Sequence, residues 1–428
     1  MEANIIAHDG DQVTVQVCID LSGTMLEAEG QIQDACNAIG RAASLEALKR
    51  FETDGTPILL GAIKWTRRCT SHQTYQTPYG TVGLERHVYQ TSQGGKIYCP
   101  LDADARIIRH ATPLFAKQLS HKYAQMNVNA VCADLSDNHG RPVTASYVQN
   151  VTDWVGAIAM AQEETWDYTL PVLDQPVASV AISLDGAMLA MKEEGWREAM
   201  VGSLSLYDPA GERLHTIYVA ATPEHGKAVF LQRMTQEIER IKTQYPNALY
   251  LGIADGAASN WSFLEQHTER QLLLDYFHAA EHLPAIAMAA YPGKTDKPKR
   301  EQWLHEQRHQ LKHEHGAVEA VIEAAQRLTH KRSLSRSVNA DLQAALTYFS
   351  NQAARMDYAQ HLSEHLPIGS GVIEAACKTL VKQRLCGAGM RWKQRGAKII
   401  LSLRALVQST GRWAQFWQKI NQFGAQPC

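Results

Sequence analysis

Residues 176–189 read PVASVAISLDGAML, an apolar, β-rich run that reaches an aspartate followed by a glycine. A second run of the same kind, ALYLGIADGA, spans residues 248–257. A hairpin at 198–222 and an amphipathic helix at 225–245 are predicted between them. Continuous apolar runs of this length are typical of strands that are covered on both faces. The pattern predicts an α/β core in which each run ends on its aspartate.

The next segments extend this core along the chain. A short helix is predicted at 260–269, and a third apolar strand begins QLLLDYFHAAEHL at 271–283. Strand, hairpin, helix, strand, helix, strand is the chain order of an RNase H-like sheet. Because α/β sheets build sites at strand ends, we expect Asp185 and Asp255 to lie at one edge. Residues 281–365 are helical and too long for a connection, which predicts an inserted helical domain.

A third carboxylate comes much later in the chain. Residues 368–385, IGSGVIEAACKTLVKQRL, predict a helix with Glu374 in its first turn. Three carboxylates from separate elements can hold two divalent ions about 3.5–4 Å apart, one activating a water or 3′-hydroxyl and one stabilising the leaving oxygen. Lys378 and Lys382 are predicted on the same helix face as Glu374. The alternatives are ordinary Asp-Gly turns and a solvated helix face.

The N-terminal third shows a different pattern. Residues 1–110 predict a mixed α+β region, with one long helix followed by strands. Residues 111–170 predict helices, two of which flank Gly140, and Thr144 is a suitable N-cap for the second. Two helices around a glycine turn favour a DNA-binding helix-turn-helix whose recognition helix starts at Thr144. An ordinary helical hairpin is the alternative.

Basic residues are concentrated near the C-terminal end. Residues 375–428 contain ten Lys and Arg and no Asp or Glu, which leaves 32 basic and 44 acidic residues, a net charge of −12, in residues 1–374. This asymmetry favours a polyanionic partner, with a solvated basic tail as the alternative. Five regions are predicted in all, at residues 1–110, 111–170, 171–280, 281–365 and 366–428, the last holding a catalytic helix and basic C-terminal helices.

Composition argues against several other classes. The 428 residues are 45% hydrophobic and 20% charged, which suits a chain with a normal buried core. We expect no membrane span, because no apolar run approaches about 18–20 residues, and no secretory leader, so the predicted location is the cytoplasm. The eight cysteines form no C-x-x-C pair. A zinc-binding helix face at His305, His309 and His313 is disfavoured, because no acidic or cysteine ligands complete the set.

Four stretches together resemble a known family. They are ISLDGAM at 182–188, IADGAASNW at 253–261, LDYFHAAEHL at 274–283 and LPIGSGVIEAACKTLVKQRLCGAGMRW at 366–392. The chain resembles bacterial insertion-sequence transposases of the ISKra group, within the Mutator-like DDE set. Asp275-Tyr276-Phe277-His278 matches the C/D-x-x-H motif of Mutator-like enzymes. The resemblance implies an RNase H-fold core with a helical insertion, binding to terminal inverted repeats, and metal-dependent DNA cleavage and strand transfer.

The resemblance also implies roles for individual residues. Asp185, Asp255 and Glu374 match the family's catalytic, metal-binding triad, and Mg²⁺ is the implied ion, with Mn²⁺ as a substitute. His278 is a candidate catalytic residue that would orient the triad or touch the scissile phosphate, with a purely structural histidine as the alternative. Asp275 is a candidate accessory residue of the same site.

The segment after the Glu374 helix combines glycines, cations and an aromatic residue. Residues 386–398 read CGAGMRWKQRGAK, in which Gly387 and Gly389 permit close backbone approach and Trp392 would stack on an unpaired base. The predicted DNA-binding residues are Lys378, Lys382, Arg384, Arg391, Trp392, Lys393, Arg395 and Lys398.

The expected partners are double-stranded DNA, both element ends and target, and a second copy of the chain. The bacterial nucleoid is the expected location of the DNA-bound protein. Two other function classes remain open from the sequence. One is a nuclease of the same fold that hydrolyses DNA without joining strands. The other is a DNA-binding regulator derived from a transposase.

Overall fold

A computed structural model of the chain describes residues 2–163, 165–224, 227–268, 272–330 and 334–426. Its strands are β1 (Ala3–Asp9), β2 (Gln12–Val17), β3 (Ile58–Leu60), β4 (Ile63–Thr77), β5 (Gly80–Thr91), β6 (Gly94–Tyr98), β7 (Ser179–Met191), β8 (Gly195–Tyr207), β9 (Arg213–Ala221), β10 (Leu249–Ala254) and β11 (Leu272–Leu274). Within these residues, no helix has the length and apolar character needed to cross a membrane.

The helices of the first half are α1 (Met25–Lys49), α2 (Pro100–Asp104), α3 (Pro113–Gln125), α4 (Val128–His139), α5 (Ala145–Gln162), α6 (Ala228–Gln244) and α7 (Ala258–Leu264). Those of the second half are α8 (Tyr276–Ala290), α9 (Lys297–His313), α10 (Ala317–Thr329), α11 (Arg336–Gln352), α12 (Tyr358–Ser363), α13 (Gly371–Ala376), α14 (Gln383–Leu385), α15 (Gln394–Gln408) and α16 (Arg412–Phe423). A π-helical segment, Cys377–Lys382, joins α13 to α14.

The chain divides into two compact units. The first unit contains residues 1–169, 402–407 and 411–428, and the second contains residues 170–401 and 408–410. The last helix, α16, therefore belongs to the same unit as the N-terminal third of the chain. Each unit has its own buried hydrophobic cluster.

The first unit combines antiparallel strands with helices. Its four-stranded sheet has the order β3-β4-β5-β6, and β1 pairs with β2 in a separate hairpin. The helix predicted in this region is α1, which starts at a capping box formed by Thr24 and Glu27. Tyr75 and Leu101, both 0% exposed, lie in the core beside this sheet.

The helical part of the first unit contains α3, α4 and α5. Gly140 ends α4 in the left-handed conformation at φ 59°, and the Thr144 side chain accepts a hydrogen bond from the backbone N–H of Tyr147. The N-cap predicted at Thr144 is therefore confirmed. Helix α16 completes this core, because Phe416 is fully buried and its ring centroid lies 5.7 Å from that of Trp166.

The second unit is built on a five-stranded sheet. The strand order is β11-β10-β7-β8-β9, with β10 parallel to both β7 and β11 and with β8 antiparallel to β7 and β9. Helix α6 lies between β9 and β10 in the chain, and α7 lies between β10 and β11. The predicted hairpin forms as β8 and β9, and its turn lies at Asp208–Gly211, where the Gly211 N–H donates to the Asp208 carbonyl at 3.1 Å.

Strand β7 is longer than predicted. The sequence suggested an end at Asp185, but β7 continues to Met191 because its far half pairs with β8, from Asp185↔Val201 to Met191↔Gly195. Pairing with β10 stops earlier, at Ser183. Asp185 thus lies just beyond the last β10-paired residue, within a strand and still at an edge of the parallel part of the sheet.

The helices that follow β11 share a core with the sheet. Buried residues of α8, α10 and α11 belong to the same hydrophobic cluster as those of β7 and β10; they include Leu283, Ile286, Val321, Leu342 and Phe349. Helix α8 starts at Tyr276, before the predicted boundary at residue 281. Its first turn therefore follows directly from the sheet edge that carries the candidate site.

Candidate active site

Asp185 is held from two sides. One carboxylate oxygen, Oδ1, accepts a hydrogen bond from the Gly186 N–H at 2.6 Å, and Oδ2 accepts one from the Cys377 thiol at 3.3 Å. Cys377 is 3% exposed and lies three residues after Glu374. Burial raises the pKa of the Cys377 thiol, and the charge of Asp185 raises it further, so the neutral thiol is the hydrogen-bond donor. This contact ties Asp185 to the helix of Glu374.

Asp255 directly follows β10. Its Oδ1 accepts hydrogen bonds from the Ala257 N–H at 3.1 Å and from the Asn260 amide nitrogen at 3.4 Å. The same amide nitrogen donates to the carbonyl of Leu184 at 3.4 Å. Asn260, 7% exposed, therefore links the second aspartate to the residue that precedes the first. The Tyr348 hydroxyl adds a hydrogen bond of 3.0 Å to the Asp255 carbonyl.

Asp275 connects the end of β11 with the start of the Glu374 helix. It is 0% exposed and caps α8, because its Oδ1 accepts from the His278 N–H at 2.9 Å. Its other oxygen accepts from the Ser370 N–H. A Cβ at Gly369 would lie 2.9 Å from the Phe277 ring, so glycine permits this close approach. Asp275 therefore positions the turn that precedes Glu374.

Glu374 is the most open of the candidate acids. Its side chain is 48% exposed, and its Oε1 lies 3.5 Å from Nε2 of His278. Burial raises the pKa of Glu374, the negative charges of Asp275, Asp185 and Glu281 raise it further, and His278 opposes them. These charges place Glu374 in an electrostatically negative environment together with Asp185 and Asp275.

The donor set can be compared with what Mg²⁺ requires. Carboxylate oxygens are suitable ligands, and Mg²⁺ is often bound by only one or two carboxylates while it keeps several waters. Among the described residues, no three His, Cys, Asp or Glu side chains lie close enough to hold a metal ion. The residues thus have the chemistry for Mg²⁺, but a preformed three-ligand cage is absent from the part of the chain that the structure describes.

The predicted DNA-binding residues differ in their exposure to solvent. Lys378, Lys382, Arg391, Lys393 and Arg395 are exposed, and Lys398 is half-buried. Arg384 differs from expectation, because it is 3% exposed and its guanidinium carbon lies 5.3 Å from the centroid of the Trp392 ring. A direct contact between Arg384 and DNA would require it to leave this buried position.

Trp392 is also held by the protein. Its indole N–H donates to the Leu385 carbonyl at 2.8 Å. Its backbone N–H donates to the Ala190 carbonyl at 3.0 Å, and its carbonyl accepts from the Lys192 N–H at 2.8 Å. The half-buried ring thereby docks the basic segment on β7, a role that differs from the predicted stacking on a base.

The helix that carries Glu374 is not a uniform α-helix. Residues 377–382 are π-helical, so the backbone spacing changes between Glu374 and Lys382. Glu374, Lys378 and Lys382 are all exposed, and their placement on one helix face stays a prediction. Cys377, the first residue of the π-helical segment, contacts Asp185. Local widening of a helix of this kind occurs often at functional sites.

The histidine face on α9 stands apart from these acids. His305, His309 and His313 are exposed, and the rings of the last two lie 4.8 Å apart. Within the described residues, these histidines form no metal-holding cluster with other His, Cys, Asp or Glu side chains.

Sequence reasoning missed Asn260 and Cys377. Asn260 lies five residues after Asp255, in the helix that follows β10, and Cys377 lies one helical turn after Glu374. The spacing of Cys377 is a usable signal, because residues one helical turn apart lie on the same face as the candidate acid. The hydrogen-bond partners of Asn260 and Cys377, however, become apparent only once the pairing of β7 with β10 is known.

Comparison with known proteins adds no assignment. No protein-family model matches the chain. No curated protein matches it at a significant level. The sheet edge and its neighbouring cations are therefore the observations from which a function is inferred.

Proposed function

We propose that this chain is a DDE transposase of a bacterial insertion sequence, with an RNase H-like catalytic core. It would bind terminal inverted repeats, hydrolyse a phosphodiester to expose a 3′-hydroxyl, and use that hydroxyl to attack target DNA. Asp185, Asp255 and Glu374 would be the catalytic acids, as the sequence resemblance implies. The protein would act in the cytoplasm, on the nucleoid, as an oligomer that handles two DNA ends together.

The topology of the second unit supports the fold part of this proposal. Strand β7, the β8–β9 hairpin, α6, β10, α7 and β11 follow one another in the chain order expected for an RNase H-like sheet. The central position of β7, between β8 and β10, puts Asp185 beside the end of β10, where Asp255 follows. Acids separated by about 70 residues thereby reach one edge of the sheet.

One observation carries the proposal: three chain segments that bear the predicted acids are joined by side-chain hydrogen bonds. Cys377, from the Glu374 helix, donates to Asp185, and Asn260 joins Asp255 to Leu184. An edge that gathers several carboxylates is suited to a divalent ion.

The residues have distinct tasks in the proposed reaction. Mg²⁺, or Mn²⁺ in its place, would supply activation of the attacking oxygen and stabilisation of the leaving oxygen when bound by Asp185, Asp255 and Glu374. His278, 3.5 Å from Glu374, orients that carboxylate through its Nε2. Asp275 holds both the His278 backbone and the turn before Glu374.

The cations near this edge support DNA as the substrate. Arg391, Lys393 and Arg395 are exposed in the segment that Trp392 docks on β7. Lysine and arginine at the surface contact phosphates and release counterions, which supplies most of the affinity for duplex DNA. The helix-turn-helix formed by α4 and α5 is the proposed reader of the element ends.

A cleavage and joining assay tests the proposal. Purified protein is incubated with labelled DNA that carries the ends of its own element, with and without Mg²⁺. We expect cleaved and joined products with the wild type and a loss of at least about 10³-fold in Asp185→Asn and Glu374→Gln, because charge stabilisation in the transition state is removed. Glu364→Gln, an exposed glutamate outside this edge, is the matched control.

The products distinguish the other functions. Cleavage without joined strands would replace the transposase with a nuclease of the same fold. Specific DNA binding with no metal-dependent cleavage would replace it with a regulator. Full activity in Asp185→Asn would remove Asp185 from the catalytic acids.

A further inference from the structure

The two aspartates of the sheet edge each accept a hydrogen bond from a buried side chain, whereas within the described part of the chain Glu374 accepts none of this kind. Asn260 donates to Asp255, and Cys377 donates to Asp185. We propose that Asn260 and Cys377 are positioning residues that fix the two aspartates for a divalent cation before Glu374 joins them. This inference rests on the function proposed above.

Asn260 forms hydrogen bonds to the chain segments of both aspartates. Its amide nitrogen lies 3.4 Å from Asp255 Oδ1 and 3.4 Å from the Leu184 carbonyl oxygen. An amide group has two N–H donors, so one nitrogen serves both acceptors. Because Leu184 precedes Asp185 on β7, this pair of hydrogen bonds sets the position of Asp255 relative to the strand that carries Asp185. The 7% exposure of Asn260 keeps water from competing for these bonds.

Cys377 performs the same task from the opposite side. Its sulfur lies 3.3 Å from Asp185 Oδ2, and the Gly186 N–H occupies Oδ1 at 2.6 Å. With one donor on each oxygen, the plane of the carboxylate is fixed while lone pairs remain for a cation. Cys377 is also the first residue of the π-helical segment. Donors behind ligating groups orient them and affect metal binding about 10–100-fold.

Glu374 contrasts with this arrangement. Its side chain is 48% exposed, and its Oε1 lies 3.5 Å from Nε2 of His278. No three acidic, histidine or cysteine side chains form a metal cluster among the described residues, and Glu374 is the most exposed of the three acids that would form one. The aspartates would therefore bind a cation first, and Glu374 would follow.

The test measures Mn²⁺ binding to the whole protein without DNA, by the loss of the electron paramagnetic resonance signal of free Mn²⁺. Cys377→Val removes the donor and keeps a small apolar side chain, whereas Cys377→Ser keeps a donor. Asn260→Leu removes the amide. Cys386→Val and Ser262→Ala are matched controls, because their side chains donate to the backbone carbonyls of Met188 and Ala258 instead.

We expect the Kd for Mn²⁺ to rise at least about tenfold in Cys377→Val and Asn260→Leu. It should return close to the wild-type value in Cys377→Ser, remain unchanged in both controls, and rise less in Glu374→Gln than in Asp185→Asn. Circular dichroism checks that each variant is folded, and Asn260→Ala replaces Asn260→Leu if the latter is not.

The outcomes separate the two levels of the proposal. Wild-type Mn²⁺ binding in Asp185→Asn would overturn the proposed metal site itself. Weak binding in Asp185→Asn together with wild-type binding in Cys377→Val and in the folded Asn260 variant would overturn the positioning role alone. Failure of Cys377→Ser to rescue binding would show that packing, rather than the hydrogen bond, is what Cys377 contributes.

Discussion

Asp102 in the first unit and Asp275 in the second are stabilised in opposite ways. Asp102 pairs with the guanidinium of Arg86 and accepts a hydrogen bond from the Tyr75 hydroxyl at 2.6 Å. Asp275 accepts from the backbone N–H groups of His278 and Ser370. The charge of Asp102 is therefore balanced by a neighbouring cation, whereas that of Asp275 adds to the field of the other acids.

The difference distinguishes a charge that only stabilises the fold from charges that act on a candidate site. In an ion pair such as Arg86 with Asp102, the opposite charges largely cancel and leave little net field. At the sheet edge, burial raises the pKa of Glu374, and the negative charges of Asp275, Asp185 and Glu281 raise it further. Groups with such perturbed pKa values cluster at functional sites. The second unit is therefore the better candidate for a functional site.

The largest expected effect is the difference between the Asp275→Asn and Asp102→Asn variants. We expect Asp275→Asn to lower the free energy of unfolding by about 3 kcal/mol, because two N–H groups lose a charged acceptor. Hydrogen exchange should then accelerate at the Ser370 amide, and stabilisation by Mg²⁺ should be lost. Asp102→Asn should cost about 2 kcal/mol, since Arg86 is left without its partner, while the Mg²⁺ response remains. An equal loss of that response in both variants would contradict the comparison.

A medium effect concerns cations near the acidic edge. Replacing Arg391 and Lys393 by alanine should reduce the slope of log K for DNA against log salt concentration by about 2, because two phosphate contacts are lost. Arg384→Met should leave this slope unchanged and lower the melting temperature, since Arg384 is buried against Trp392. Fluorescence anisotropy over a salt series measures both. A reduced slope in Arg384→Met would show that this residue reaches phosphate.

The smallest effect is a pH dependence from Glu374. Its pKa is raised in the folded protein, so the unfolded chain ionises first as pH rises through the ordinary value of 4.5. Without metal, the wild type should lose stability over that rise, by less than about 1 kcal/mol for an exposed group. Glu374→Gln should therefore be the more stable protein at pH 7 in EDTA and equal to the wild type at pH 4. Equal urea midpoints at both pH values would contradict this.

Local sequence patterns predicted much of the fold. The apolar run at 248–257 contains β10, and the predicted N-cap at Thr144 marks the start of α5. The Asp208–Gly211 turn likewise follows from its own residues. These features depend on neighbours in the chain, which is why periodicity and capping rules find them.

The missed features depend on residues far apart in the chain. The extension of β7 past Asp185 results from its pairing with β8, and the burial of Arg384 from the docking of Trp392 on β7. The contact between Cys377 and Asp185 spans 192 residues. No window along the sequence contains both partners of such a contact. The candidate acids could be named from the sequence, but the side chains that hold them could not.

The return of the chain to its first unit has a consequence for protein synthesis. Residues 411–428 belong to the unit that starts at the N-terminus, and the Trp154 indole N–H donates to the Ala425 carbonyl at 2.9 Å. The ribosome delivers this helix only after the whole second unit has been made. Phe416, which is fully buried in the folded protein, therefore joins the first unit only after the second unit has been synthesised. Production of the two units is coupled, since a ribosome that stops early leaves the proposed DNA-reading helices without their last packing partner.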